Sequence, residues 1–118
     1  MAIISSHTLD SVLGSHASGI EVELFRLEAG GERVRVLRTR TDEGGRLSAE
    51  VELNAERAND TYELVFHTGD YFTAHSVSGL GSRIMNEVVV RFSMPDPNGR
   101  YHMPMMLSPN SYSVWWSN

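Results

Sequence analysis

The sequence predicts an all-β fold, a sandwich or barrel, and three observations carry that expectation. Apolar and polar residues alternate with period two in short runs. Clusters of Gly, Asn, Asp and Pro interrupt those runs. About eight runs recur at regular spacing, the pattern of a closed or layered β-domain rather than of an α/β fold.

Taken in order, residues 20 to 27 (IEVELFRL) alternate well, Ala29-Gly30-Gly31 turns the chain, and residues 33 to 38 (RVRVLR) alternate again. Residues 20 to 38 therefore read as a hairpin whose charged face meets water. Thr41 to Arg46 is a second turn, followed by candidate strands at 47–53 and 61–67. Gly69-Asp70 breaks the latter, and the mixed character of residues 70 to 80 suits a short helix. Gly79 to Ser82 reads as a flexible loop. Residues 87 to 92 (EVVVRF) form a strand, and Pro95-Asp96-Pro97-Asn98-Gly99 a turn in which every residue favours turn geometry. Runs 101–107 and 111–116, joined through Ser108-Pro109-Asn110, complete the set.

A chain of 118 residues with 41% hydrophobic and 21% charged residues is expected to close one core, so residues 1–118 are expected to form a single domain. A net charge of -5 argues against nucleic acid as a partner. The absence of cysteine excludes disulfides and thiolate chemistry. No run approaches the roughly 20 apolar residues of a spanning helix, and the start MAIISSH lacks the basic and apolar regions of a signal peptide. No membrane partner and a cytoplasmic location are the expectations.

Chemistry must then rest on side chains other than cysteine. No nucleophile elbow, phosphate loop or paired-carboxylate pattern is present. Five histidines are the candidates: His7, His16, His67, His75 and His102. None has a metal-ligand spacing on a credible helix, so no metal is expected. In a small β-domain a histidine is more often a surface or satisfied core residue than a functional one.

The order of segments says more. Ser6-His7-Thr8-Leu9-Asp10 resembles the S/T-H-V-L-D strand of the 5-hydroxyisourate hydrolases in the transthyretin-like family. Gly14, Ala17 and Gly19-Ile20 match the G-x-P-A-x-G-V segment, with His16 where proline is usual. Thr41 to Arg46 resembles T-N/D-x-D-G-R. Tyr62 to Phe66 with Gly69 to Phe72 resembles YELVF…GDYF. Tyr101 to Pro109 resembles Y-H-V-P-L-L-L-S-P, and Ser111-Tyr112-Ser113 resembles S/G-Y-S. These matches run in order from residue 5 to 113.

The resemblance implies a transthyretin-like β-sandwich of two four-stranded sheets with one short helix. It implies a homotetramer, a dimer of dimers with sites at the dimer–dimer interface. Carried over residue by residue, the catalytic histidines fall on His7 and His102 and the arginine on Arg46. The implied activity is hydrolytic opening of a cyclic amide in the urate pathway, on a small cyclic substrate and without a cofactor. Those residue types suit the chemistry: a histidine titrates near neutrality and can activate water, and a guanidinium can steady charge growing on a carbonyl oxygen. Period-two alternation extends the pocket. With His102, Pro104 and Met106 face the substrate; with Ser113 on the last strand, so do Trp115 and Ser117. Met103 and Met105 fall to the core.

The tail departs from the pattern. The hydrolases end in Y-R-G-S, and this chain ends Trp115-Trp116-Ser117-Asn118. Two alternatives stay open beside the urate-pathway hydrolase: a divergent enzyme acting on a different cyclic aromatic substrate, for example in a biosynthetic pathway, and a non-catalytic small-molecule binder. Retention of His7, Arg46 and His102 together favours an enzyme.

Overall fold

A computed structural model describes residues 1–54, 56, 59–75 and 81–118. Ten strands and helices follow in chain order: β1 (Ala2–Asp10), β2 (Ser15–His16), β3 (Glu21–Leu27), β4 (Arg33–Arg40), β5 (Arg46–Val51), β6 (Thr61–Phe66), α1 (Thr68–Ala74), β7 (Val88–Ser93), β8 (Arg100–Ser108) and β9 (Ser111–Val114). The strands form two sheets, as expected of a transthyretin-like sandwich.

In the first sheet β1 runs parallel to β8, in register from Ile3↔Arg100 to Asp10↔Leu107, and β9 pairs antiparallel with β8. The other edge of β1 is shared. The antiparallel β5 covers Ala2 to His7, and the two-residue β2 covers Leu9 and Asp10. This short β2 is the one addition to the four strands expected. The second sheet has the antiparallel order β4-β3-β6-β7, with a register shift between Leu24 and Phe25.

Alternation explains the layers. In β1 every even residue is buried and every odd residue between Ile3 and Leu9 is half-buried. Tyr101, Met103, Met105 and Leu107 of β8 point into the core beside Ile4 and, from the second sheet, Leu24, Leu64 and Phe66. Each such aliphatic or aromatic side chain contributes about 1.5–3 kcal/mol when fully withdrawn from water. Met103 and Met105 are core residues, as their alternation predicts. The outer face of the second sheet carries the expected charge, with Glu21, Glu23 and Glu63 paired to Arg38, Arg35 and Arg91.

The helix begins earlier than expected, at Thr68, directly after β6. Gly69 permits this: a Cβ there would press on Asn86, whose carbonyl accepts the Gly69 N–H at 2.8 Å. The expected helical stretch beyond 75, and Gly79-Leu80 of the expected loop, lie outside the described residues. Tyr71 reaches from α1 to donate its hydroxyl to buried Asp10 at 2.8 Å, while the other Asp10 carboxylate oxygen accepts Val12 N–H and Leu13 N–H. Burial and this carboxylate push the Tyr71 pKa well up. The helix is thereby tied to the turn leading from β1 into β2. Strand β9 stops at Val114 rather than Trp116, although Ser117 N–H still reaches His102 O at 2.8 Å.

Candidate active site

The outer face of the first sheet assembles as a grid, because residues opposite one another in register share a face. One row across the sheet is Ser48, Ser5, His102 and Ser117. The next is Arg46, His7 and Pro104, with Trp115 alongside through its N–H to Pro104 O at 3.4 Å. The third is His16, Leu9, Met106 and Ser113. All eight residues that the sequence proposes for the site thus fall on one face of one sheet.

The turn before β5 aims Arg46. Asp42 Oδ1 accepts the backbone N–H of both Gly44 and Arg46 at 2.9 Å. Gly45 adopts φ +74°, and a Cβ there would collide with the Thr8 carbonyl oxygen, so glycine is required twice over. Thr8 N–H donates to Gly45 O at 2.7 Å and Thr8 Oγ1 to Ala17 O at 2.7 Å, which anchors the turn and the segment after β2 to β1. Among the described residues Arg46 forms no ion pair, which leaves its fork available to a ligand.

His102 Nδ1 lies 2.8 Å from Ser5 Oγ, in a hydrogen bond whose direction follows the tautomer. His7 Nε2 lies 2.9 Å from His16 Nδ1, their rings tilted by 32° with centroids 5.0 Å apart. The His7 pKa is held below the ordinary histidine value, first by partial burial, then by the charges of Arg46, His16 and His102, against a backbone hydrogen bond at Gly44 that favours the charged ring. A neutral imidazole beside a fixed cation is the form in which histidine accepts a proton.

Two clefts open on this face. One of about 390 Å³ is lined by Ser5, Ser48, Arg46 and His102, with Thr39, Arg40 and Asp42 at its edge. The other, of about 290 Å³, is lined by Leu9, Gly14, His16 and Met106. His7 lines neither cleft; on β1 it lies between Ser5, which lines the first, and Leu9, which lines the second. A larger cavity of about 520 Å³ lies away from them, walled by Phe92, Pro95, Tyr101 and Trp116. Imidazoles line the smaller pair, beside the Arg46 guanidinium in the first and serine hydroxyls in both, whereas no histidine lines the larger cavity.

His67 and His75 fall to structural roles. His67 Nε2 pairs with Glu23 Oε1 at 2.7 Å, which pulls the Glu23 pKa down, and His75 stacks on Tyr71 at 4.2 Å. Sequence reasoning missed Ser5 and Ser48 as cleft residues. Both are two positions from a named site residue on the same strand, so the alternation that selected Pro104 would have found them. It also left His16 without a role, for which only the β1–β2 register supplies the signal. Among the described residues no group of three or more His, Asp or Glu is arranged to hold a metal ion. Among them also, no helix is long and apolar enough to cross a membrane.

The model of the HIUase/Transthyretin family matches residues 4–116. The chain is 38% identical to a protein named 5-hydroxyisourate hydrolase 2 from Rhizobium meliloti, over 95% of this chain and 92% of that one. It is 33% identical to the 5-hydroxyisourate hydrolase of Halalkalibacterium halodurans, over 95% and 94% of the two chains. The crystal structure of transthyretin from Sparus aurata superposes with a TM-score of 0.80 at 22% identity, over 97% of this chain and 95% of that one, a likeness of fold.

Proposed function

Because the chain belongs to the HIUase/Transthyretin family, we propose that it is a hydrolase opening the ring of 5-hydroxyisourate, a cyclic amide of the urate pathway, with His7, Arg46 and His102 as its catalytic residues. The observation that carries the site assignment is the register: His7 lies directly opposite Arg46, and His102 lies opposite Ser5 on the same face.

In the proposed reaction a water oxygen bonds to the ring carbonyl carbon while a histidine takes the water proton. His7 suits that step, since partial burial and the neighbouring Arg46 charge favour its neutral form. Negative charge gathers on the carbonyl oxygen, where the Arg46 guanidinium donates charge-assisted hydrogen bonds. The ring C–N bond then breaks and the departing nitrogen receives a proton. His102, fixed by Ser5, is placed to supply it. Water and these side chains complete the balance, and no organic cofactor enters.

Pro104, Met106, Ser113, Trp115 and Ser117 form the substrate-binding surface around the trio. Trp115 offers a broader, hydroxyl-free wall than tyrosine, which suits a flat ring. Met106 and Trp115 are 41% and 50% exposed on this face. Their covering by further copies of the chain, in a homotetramer with sites at the dimer–dimer interface, would desolvate the pocket and strengthen its electrostatics. A cytoplasmic location accords with a urate-pathway substrate. The test is consumption of 5-hydroxyisourate by the protein and by His7→Ala, Arg46→Ala and His102→Ala. Each substitution should remove most of the activity, and an unchanged rate in any of them would remove that residue from the site.

A further inference from the structure

The proposed chemistry uses His7 but leaves one of its contacts unexplained. The Nε2 edge of His7 is occupied by His16 Nδ1 at 2.9 Å. Two imidazoles in such contact share one bridging proton: one nitrogen donates and the other accepts. Whichever donates, the bond fixes the His7 ring plane and decides which of its nitrogens carries hydrogen. His16 is itself held in place. It pairs with Leu9 in the short β1–β2 ladder, and the turn before it is closed by Asp10, which accepts Val12 N–H and Leu13 N–H, and by Gly14 N–H donating to Asp10 O at 2.9 Å.

The position also has a spatial consequence. Arg46 and His102 line the first cleft, whereas His16 lines the second, beside Leu9 and Met106. The His7–His16 hydrogen bond therefore joins His7, which lines neither cleft, to a residue of the second. The hydrolases resembled by this chain carry proline at the position of His16, and proline has no side-chain donor or acceptor, so this contact is a property of the present sequence.

We propose that His16 is a positioning residue for His7, holding its ring in one orientation and one tautomer. The part played in catalysis rests on the hydrolase reading above; the control of the His7 tautomer does not. The charged and titratable groups facing the pair are Arg46 from β5 and His102 from β8, with Asp42 in the adjoining turn binding Gly44 N–H. When His7 takes a proton from water, it becomes a cation between Arg46 and His16.

The experiment has two readouts on the intact protein, compared with His16→Ala and His16→Asn. The first needs no activity: nitrogen NMR shifts of the His7 ring report its tautomer and its titration midpoint. His16→Ala should mix the tautomers and raise the midpoint, because the bridging partner is lost and His16 is among the groups that hold the His7 pKa down. His16→Asn should keep one tautomer. The second is turnover of 5-hydroxyisourate. His16→Ala should lower kcat on the order of 10- to 100-fold with little change in KM, since misplacing a catalytic group costs rate more than affinity. Its pH profile should shift to higher pH, and His16→Asn should recover much of kcat but not the original profile. A His7 tautomer and midpoint unchanged in His16→Ala would overturn the proposal. So would an unchanged kcat in His16→Ala where His7→Ala is inactive. An inactive parent would end the hydrolase reading alone, and the NMR comparison would still decide the role of His16.

Discussion

Ser5 Oγ sits 2.8 Å from His102 Nδ1, and the two residues face one another across the parallel β1–β8 ladder. One hydroxyl thus fixes the position of an imidazole from a strand 97 positions away in sequence. Ser5→Ala should lower kcat about 10-fold, less than the roughly 10²–10⁴-fold loss expected for His102→Ala. The double variant should be no worse than His102→Ala alone, because Ser5 acts through the imidazole. Additive losses in steady-state kinetics would show that Ser5 touches the substrate independently.

Arg46 and His7 form a cross-strand pair that brings a guanidinium and an imidazole together. Arg46→Lys keeps the charge but loses the planar fork, so it should retain only a small part of the activity. Arg46→Ala should cost about 10²–10³-fold in kcat, the scale of one lost oxyanion donor. Equal rates for the lysine variant and the parent would mean that the guanidinium serves only as a point charge.

Acidity should act through His7. Its folded pKa lies below the ordinary value, which is about 6.5. The unfolded chain therefore takes up this proton at higher pH than the folded one. The stability tied to this site is full above the unfolded value and is lost as pH falls through the folded value. In parallel, kcat/KM should stay level through neutrality and fall once pH drops through the lowered pKa. Thermal melts of the parent and His7→Gln across this acidic range check the first effect: the gap between them should change with pH. A gap independent of pH would show that His7 titrates alike folded and unfolded.

The two tail tryptophans should behave differently. Trp115 lies beside Pro104 in the row of Arg46 and His7, whereas the Trp116 ring lies 6.0 Å from Tyr101, a residue of the core face. Trp115→Tyr should change KM for 5-hydroxyisourate, and Trp116→Ala should leave kcat/KM close to that of the parent. Steady-state kinetics on the pair would contradict this placement if the Trp116 variant were the more affected.

The fold should depend on two local devices behind the site. Gly45→Ala must place a Cβ against the Thr8 carbonyl at a positive φ, a change expected to cost more than about 1 kcal/mol. Tyr71→Phe strips the buried Asp10 carboxylate of a donor and should cost about 1.5–3 kcal/mol. Urea unfolding measures both, and a variant as stable as the parent would remove its device from the account.

Much of this was legible in the sequence for a physical reason: a strand repeats every two residues, so alternation assigns faces without knowledge of partners. It put His102, Pro104 and Met106 on one face of β8, opposite the buried Tyr101, Met103 and Met105. Partners are another matter, since pairing depends on register between segments far apart. The contacts of Ser5 with His102 and of His7 with His16 became visible only when β1 was seen between β8 on one edge and β2 and β5 on the other. The helix began early because Gly69 lets the backbone approach Asn86, which propensity does not express. The last strand ended early because Trp115 makes only a long 3.4 Å bond and Trp116 turns toward Tyr101.

The central claim is that this face hydrolyses 5-hydroxyisourate through His7, Arg46 and His102. Its most direct measurement is the ultraviolet decay of 5-hydroxyisourate, made in situ from urate by urate oxidase, with and without the purified protein. The decay should accelerate in proportion to protein concentration and return to the spontaneous rate with His102→Ala. Decay at the spontaneous rate in the presence of the parent protein would contradict it.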